Sequence, residues 1–250
     1  MKIIAVIPCR FQSSRFEGKP LELIGDKPMM WHVYQQAIKA NSIENAYIAT
    51  DDLRISRVCE DLGLNWLMTS SDHLTGTDRV AECASKLDAD ILVNVQGDEP
   101  FILPDSIDSV VSSLMNSQIS NLAASNGYSL LTSDKEANDK NVVKVIFSSS
   151  NLALAYSRLP VPSSFRQVPQ RFRQLGLYAF YKEALEFYAH SKQGPIELAE
   201  SVEMYRFIEH NKSVLMVNVQ ESGIAVDTPA DLFDARQYYK KMISSNKKEF

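Results

Sequence analysis

The first half of the chain alternates short apolar runs with segments whose apolar residues recur at helical spacing. The apolar runs predict strands over 3–7, 45–49, 66–68 and 91–95. The amphipathic segments predict helices over 28–40, 53–62, 78–87 and 104–115. Strands and helices that alternate at this spacing are typical of a parallel sheet with right-handed crossovers. We therefore expect an α/β, Rossmann-like nucleotide-binding fold.

The second half has a more mixed pattern. It predicts strands over 121–125, 142–147, 152–157, 175–180 and 213–219, and helices over 183–190 and 197–210. Three prolines and little periodicity predict a loop over 159–171, and Asp227-Thr228-Pro229 is typical of a helix start. We expect one domain over 1–250, in which 121–219 forms a smaller, inserted antiparallel lobe and 1–120 with 220–243 form the nucleotide-binding part.

Composition excludes several classes of protein. The 250 residues are 45% hydrophobic and 23% charged, as in an ordinary globular protein, and the net charge of −5 argues against nucleic-acid binding. The apolar runs are too short for a membrane helix, and Met1-Lys2 leads directly into a strand, so we expect neither a membrane span nor a signal peptide. The three cysteines lack metal-binding spacing, which favours reduced thiols and a cytoplasmic protein.

A basic loop follows the first predicted strand. Arg10, Arg15 and Lys19 lie within about ten residues of one another, with too few nearby acids to neutralise them. Loops at the carboxyl ends of strands are where open α/β sheets bind ligands, so a polyphosphate is the natural partner. The alternative is a solvated basic loop with no ligand.

A Walker P-loop does not account for this segment. That motif needs a glycine where this chain has Ser13, and a hydroxyl residue after the lysine where this chain has Pro20. Gly18 and Lys19 therefore belong to a different phosphate-binding loop, in which other residues must bind the metal.

Carboxylates follow the strands that end at the same edge of the sheet. Asp98 lies in the turn Gln96-Gly97-Asp98-Glu99-Pro100, where it could bind a divalent metal next to phosphate or simply stabilise the turn. Asp227 is a second candidate ligand, and its alternative role is a helix cap. Asp51 and Asp52 also end a strand at this edge, and spacing alone does not separate them from Asp98.

The loop Thr75-Gly76-Thr77 carries two hydroxyls around a glycine, just before a predicted helix. Such a loop suits contact with a nucleotide or its ribose. It equally suits an ordinary helix cap, although Thr77 followed three residues later by Val80 is not a capping box. Both interpretations remain open on the residues alone.

A series of segments, spread over nearly the whole chain, resembles the motifs of one enzyme family in the same order. The family is the CMP-Kdo synthetases, the cytidylyltransferases that activate 3-deoxy-manno-octulosonate (Kdo). The segments are IPCRFQSSRFEGKPL, KPMMWHVY, IATDD, SSDHLTGTDRVAE, ILVNVQGDEP, NVVKVIF, ALAYSRLPVP, LGLYAF and VDTPADL. The resemblance implies an α/β homodimer that couples CTP to the sugar acid with Mg²⁺ and releases pyrophosphate. It also implies a role in lipopolysaccharide or other surface polysaccharide synthesis, with the 121–219 lobe serving sugar binding and dimerisation.

Matching positions in these motifs imply roles for individual residues. The implied nucleotide-binding residues are Arg10, Ser14, Arg15, Lys19, Thr75, Gly76, Thr77 and Gln96. The implied metal ligands are Asp98 and Asp227, and with Lys19 and Arg10 these form the implied catalytic set. The implied sugar-side residues are Arg158, Gln174, Tyr178, Glu203 and Met204.

Departures from the family pattern concentrate on the sugar side. Gln174 stands where the family has histidine, and Met204 stands where it has glutamine, while Glu17 replaces a proline in the basic loop. A titratable imidazole thus becomes a neutral amide, and an amide becomes a thioether. From these departures we hypothesise that the acceptor is a related 3-deoxy-ulosonic acid or a modified Kdo. Drift within a Kdo-using branch is the alternative explanation of these changes. The alternative functions are CMP activation of another nonulosonic acid, a nucleotide-sugar-dependent glycosyltransferase, and a non-catalytic nucleotide-binding protein.

Overall fold

A mixed β-sheet runs through the protein. The computed structural model describes residues 1–12, 16–220 and 224–246. Within these residues, the sheet strands are β1 (Ile3–Pro8), β4 (Asn45–Thr50), β5 (Trp66–Met68), β6 (Ile91–Val95), β7 (Leu122–Leu130), β8 (Lys144–Phe147), β9 (Ala153–Ser157), β10 (Phe172–Tyr181) and β11 (Ser213–Asn218). A separate hairpin pairs β2 (Leu23–Ile24) with β3 (Lys27–Pro28).

The strand order is β11-β7-β10-β6-β1-β4-β5, with β8 and β9 attached beside β10. Strand β10 is antiparallel to both β6 and β7, whereas every other pairing along that path is parallel. The predicted α/β fold with a mainly parallel sheet is therefore confirmed. The strands of 121–219 extend the same sheet, and the antiparallel pairings come from β10 and the β8–β9 pair.

Helices cover both faces of the sheet. In chain order they are α1 (Met29–Lys39), α2 (Leu53–Leu62), α3 (Gly76–Lys86), α4 (Pro104–Met115), α5 (Asp134–Asn138), α6 (Lys182–His190), α7 (Pro195–Glu200), α8 (Tyr205–Glu209) and α9 (Pro229–Asn246). Alternate residues of β1 face opposite layers, as strand geometry requires. Ile3, Ala5 and Ile7 pack with α1, α2 and α4, while Ile4 and Val6 pack with α3 and α6. No helix among the described residues combines the length and apolar character that a bilayer crossing needs.

Local signals set several helix ends. Asp52 caps α2 by accepting a hydrogen bond from the Arg54 amide, and Gly63 ends that helix with a φ of 65°. Helix α3 begins two residues earlier than predicted, because Thr75 is its cap. Thr75 and Asp78 form a capping box with both reciprocal hydrogen bonds present.

The predicted long helix over 197–210 is wrong, because the chain forms the two short helices α7 and α8 there. Ser201 ends α7 in the left-handed conformation, with a φ of 53°. This conformation is uncommon for serine, and the segment has no glycine or proline to mark a break. Arg206 on α8 turns back to pair with Glu197 on α7, at 2.7 Å.

Arg206 joins three helices through a buried charge network. Its guanidinium also pairs with Asp78 of α3 at 2.7 Å, and it lies over the Tyr188 ring of α6 at 3.8 Å from the centroid. Arg206 and Glu197 are both almost fully buried. Removing one partner of such a network leaves an uncompensated charge in the interior.

We predict that Arg206→Ala lowers the free energy of unfolding by about 3–5 kcal/mol, because it leaves Glu197 buried without its counter-ion. Urea denaturation followed by circular dichroism measures this loss. Lys2→Ala is the control, since Lys2 pairs with the exposed Asp88 and the change should stay within about 1 kcal/mol. Equal stabilities of Arg206→Ala and the control would contradict the prediction.

Candidate active site

Three polar loops meet at one edge of the sheet, because β1, β4 and β6 are parallel and end together. The loop after β1 returns through Gly18, whose φ of 70° suits glycine, into a short 3₁₀ turn formed by Lys19–Leu21. The loop after β6 carries Asp98. This edge therefore brings the basic loop and the first candidate metal ligand together.

The Lys19 ammonium lies between two carboxylates. Its Nζ is 2.9 Å from Asp98 Oδ2 and 3.5 Å from Asp227 Oδ1. These acids come from segments 79 and 208 residues away in the chain. The Val226 amide donates to the Asp98 carbonyl at 2.9 Å, so a main-chain hydrogen bond holds the later segment beside the turn.

Asp227 stays outside the helix that it precedes. Thr228 caps α9 instead, since its hydroxyl accepts from the Asp231 amide at 3.3 Å and its amide donates to the Asp231 carboxylate at 2.8 Å. The cap role considered for Asp227 therefore belongs to its neighbour. The Asp227 carboxylate remains directed at Lys19.

The two carboxylates form a donor set that fits Mg²⁺. Carboxylate oxygens are ligands that Mg²⁺ prefers, and this ion is usually held by one or two of them together with substrate phosphates. Within the described parts of the chain, no group of three or more acidic, histidine or cysteine side chains could form a complete metal cage. Two carboxylate ligands suit a metal that arrives with a polyphosphate.

Glu99 is an acidic group that sequence reasoning left aside. Burial raises its pKa to about 7, and the negative charge of Asp98 adds to that increase. The only sequence signal was its place beside Asp98 in the same turn. Near neutral pH, a proton on Glu99 reduces the negative charge around Lys19.

The other acids at this edge are paired with arginines. Asp52 holds Arg54 at 2.7 Å, and Asp51 is 3.2 Å from Arg79, which is buried. Asp51 and Asp52 therefore differ from Asp98, which contacts Lys19, as candidate metal ligands. Spacing in the sequence alone could not distinguish these three acids. Of the remaining basic-loop residues, Arg10 is exposed, while Ser14 and Arg15 lie outside the described residues.

The amino end of α3 is occupied by the Glu203 carboxylate. It accepts hydrogen bonds from the Gly76 and Thr77 amides at 3.0 Å each, and from the Thr77 hydroxyl. Burial raises the pKa of Glu203, while these hydrogen bonds oppose that increase. The predicted nucleotide loop and a predicted sugar residue are thus in direct contact, and Thr75 acts as the helix cap.

Gln96 packs between two glycines. A Cβ on Gly76 would lie 3.1 Å from Gln96 Nε2, and a Cβ on Gly176 would lie 2.5 Å from Gln96 Cγ. The main-chain N–H of Gln96 also donates to the Gly176 carbonyl at 2.9 Å. Glycine at position 176 is needed here because no side chain fits beside Gln96.

Two of the residues predicted to lie on the sugar side, Gln174 and Tyr178, lie on β10 and contact each other. Gln174 Nε2 donates to the Tyr178 hydroxyl at 3.1 Å, and burial raises the pKa of Tyr178. Gln174 Oε1 is buried and has no hydrogen-bond partner among the described residues, which is costly for an amide oxygen. Met204 is fully buried among apolar residues at the start of α8.

Arg158 is engaged by the main chain. Its Nε, Nη1 and Nη2 donate to the carbonyls of Glu200, Lys140 and Ser201 at 2.7, 2.9 and 3.0 Å. Lys144, which sequence reasoning did not single out, is fully buried and donates to three carbonyls, including that of Arg158 at 2.7 Å. These two cations fix the loops around 139–142 and 200–201.

Comparison with known proteins identifies the family. The family model described as cytidylyltransferase matches residues 4–216. The chain belongs to the cytidylyltransferase family. A 3-deoxy-manno-octulosonate cytidylyltransferase of Trichlorobacter lovleyi is 39% identical over 254 residues, covering 96% of this chain and 100% of the relative. One of Leptospira interrogans is also 39% identical, covering 96% of this chain and 97% of the relative.

A solved structure of CMP:2-keto-3-deoxy-manno-octonic acid synthetase complexed with CTP superposes with a TM-score of 0.91. It is 33% identical and covers 97% of this chain and 100% of its own. A cytidylyltransferase structure from Leptospira borgpetersenii, 16% identical with a TM-score of 0.63, shares the fold. The resemblance stated from the motifs is therefore confirmed at the level of the family.

We predict that Gly176→Ala destabilises this cytidylyltransferase by about 1–3 kcal/mol, because the new methyl group overlaps the Gln96 side chain. Urea unfolding measures the change. The double variant Gly176→Ala/Gln96→Gly is the matched control, since glycine at position 96 removes both the Cγ and the Cβ that the new methyl group would overlap, and it should recover part of the loss. The proposed packing fails if Gly176→Ala is as stable as the wild type.

Proposed function

We propose that this chain transfers the CMP group of CTP to the anomeric hydroxyl of a 3-deoxy-ulosonic acid, Kdo or a close relative, and releases pyrophosphate. The observation that carries the proposal is the position of the Lys19 ammonium between Asp98 and Asp227 at the carboxyl edge of the sheet. The names of the relatives, and the CTP bound in the similar solved structure, support both substrates. They favour neither a glycosyltransferase nor activation of another nonulosonic acid.

In the proposed reaction, the anomeric hydroxyl oxygen attacks the α-phosphorus of CTP. The bond from that phosphorus to the bridging oxygen breaks, pyrophosphate leaves, and the hydroxyl proton passes to solvent. Catalysis of this kind depends mainly on positioning and charge stabilisation. Lys19 and Arg10 would stabilise the negative charge that grows on the leaving pyrophosphate.

Asp98 and Asp227 would hold Mg²⁺, since their oxygens already converge on one cation. When bound, the metal would offset phosphate charge and lower the pKa of the attacking hydroxyl. Gly76, Thr77 and Gln96 form the adjoining wall, which we assign to the nucleotide. Ser14 and Arg15 are assigned to the triphosphate by motif position.

The acceptor side is assigned to Gln174, Tyr178, Glu203, Arg158 and Met204. Gln174 presents a neutral amide, so it recognises a substituent by hydrogen bonding and not by charge. Met204 is buried, and we assign it to the packing behind this wall. Arg158 would act on the sugar acid chiefly by holding the loops at 140 and 200–201.

We also propose that the enzyme is a homodimer that works in the cytoplasm and supplies an activated sugar acid for lipopolysaccharide or related polysaccharide synthesis. The three cysteines are free and buried, which supports a reducing compartment. The dimer and the pathway rest on the resemblance of the motifs. Size-exclusion chromatography with light scattering tests the dimer directly.

We predict that Asp98→Asn reduces kcat at least about 100-fold while CTP affinity changes little, because the amide keeps the shape but loses the metal-binding charge. Lys19→Ala should reduce both kcat and CTP affinity, since Lys19 contacts both acids and would contact the phosphates in the proposed complex. Pyrophosphate release and calorimetric titration with CTP and Mg²⁺ measure these effects. Asp88→Asn, at an exposed surface acid, is the control, and near-normal turnover in either site variant would reject its assigned role.

We predict that pyrophosphate release requires CTP among the four ribonucleoside triphosphates and requires a 3-deoxy-ulosonic acid as acceptor. Comparing kcat/KM for Kdo, its 8-amino analogue and a nonulosonic acid tests the altered sugar-side residues. A clear preference for Kdo would remove the hypothesis of a modified acceptor. Absence of pyrophosphate release with every acceptor would overturn the proposed function itself.

A further inference from the structure

Arg54, at the start of α2, is held in one orientation by its neighbour Asp52. Its Nε donates to Asp52 Oδ1 at 2.9 Å and its Nη2 donates to Asp52 Oδ2 at 2.7 Å. Asp52 also caps α2 through the Arg54 amide at 2.8 Å. This two-point contact fixes the plane of the guanidinium, as is typical of an arginine–carboxylate fork.

The fixed guanidinium covers the ring of Phe11, which lies in the basic loop after β1. The guanidinium carbon is 3.2 Å from the ring centroid. A planar arginine on an aromatic face gains both electrostatic attraction and stacking. The contact arises because β4 lies beside β1, so the start of α2 lies beside the loop that leaves β1.

The Phe11 ring in turn contacts the backbone at Gly18. A Cβ on Gly18 would lie 3.2 Å from the ring Cζ, and the Gly18 amide donates to the Phe11 carbonyl at 2.8 Å. Gly18 immediately precedes Lys19. Arg54, Phe11 and Gly18 therefore form a continuous series of contacts that ends at the residue before Lys19, whose ammonium lies between Asp98 and Asp227.

Glu17, in the same loop, also attracts Arg54 through its negative charge. Hydrogen bonding to Asp52 raises the pKa of Arg54, and the negative charge of Glu17 adds to that increase. Arg54 is thus attracted to the loop both by an aromatic face and by a charge. Glu17 stands where the CMP-Kdo synthetases have proline. A proline would restrict the backbone of the loop, whereas Glu17 can hold the loop to Arg54 by charge.

We propose that Arg54 is a positioning residue for the triphosphate loop: through Phe11 and Gly18 it sets the position of Lys19 and thereby the affinity for CTP. The inference rests on the proposed function only in taking CTP as the ligand of this loop. Arg54 itself does not touch the reacting atoms. Its loss therefore raises the KM and Kd for CTP, while kcat at saturating CTP falls much less than in Lys19→Ala, because the ammonium and its contacts with Asp98 and Asp227 are retained.

The test measures the Kd for CTP with Mg²⁺ by calorimetry and the kcat and KM of pyrophosphate release. Arg54→Met should raise the Kd and KM about two- to five-fold, the range of one exposed cation–π contact. Arg57→Met is the matched control, because Arg57 is an exposed arginine one turn along the same helix. It reports any general effect of losing a positive charge, and its Kd should stay at the wild-type value.

A double-mutant cycle separates positioning from simple attraction of the phosphates. Phe11→Leu removes the ring without changing charge, and it should raise the Kd for CTP as Arg54→Met does. If Arg54 acts through Phe11, the Kd for CTP of the double variant is no higher than that of the single variant with the higher Kd. Arg54→Lys should give an intermediate Kd, because lysine keeps the charge but loses the fork and the stacking.

Three outcomes would overturn the inference. The Kd for CTP could be unchanged in Arg54→Met, or it could rise equally in Arg57→Met. The third outcome is that the fold-increases in Kd from Arg54→Met and Phe11→Leu multiply in the double variant. Thermal unfolding of each variant identifies any loss caused by misfolding, and Arg54→Lys then provides the comparison in a folded protein. A wild-type protein that does not bind CTP would instead refute the proposed function. The two failures are therefore distinguishable.

Discussion

The attraction between one ammonium and two carboxylates organises this site. Lys19, Asp98 and Asp227 belong to three segments that the chain separates widely, and they meet within 3.5 Å. Two acids placed this close together repel each other unless a cation lies between them. The lysine supplies that cation before any ligand arrives, so the acids can be assembled in advance of the metal and phosphate that they would bind. This reduces the reorganisation needed when substrate binds.

Two polar side chains near this site, Gln96 and Glu203, are held in place by a neighbouring glycine and by main-chain amides. Gln96 fits because Gly176 lacks a side chain, and Glu203 fits because the first amides of α3 need an acceptor. The Arg206 network then holds α3 against α7 and α8, so that Gly76 and Glu203 keep their mutual position. Packing, capping and charge pairing thus act on the same few residues.

Most of the fold could be predicted from sequence because its signals are local. Apolar runs predicted β5 and β6 with their observed bounds, and Gly63 marked the end of α2. The break between α7 and α8 could not be predicted, because it depends on a left-handed serine and on a long-range pair with Arg206. Candidate site residues were found where they follow strands at one edge of the sheet. The approach of Asp227 to Lys19 depends on tertiary contacts. The sequence therefore left Asp227 open as a ligand or a helix cap, and the resemblance of motifs favoured the ligand.

The hydrogen bond between Val226 and Asp98 has a consequence for how the enzyme becomes active during synthesis. During synthesis, Lys19 and Asp98 leave the ribosome well before the segment that carries Asp227. Lys19 then meets a single acid, and the second enters only when the segment before α9 has left the ribosome and docked. If Asp98 and Asp227 act together as proposed, a polypeptide that ends before Asp227 would lack the second acid and could not transfer the CMP group.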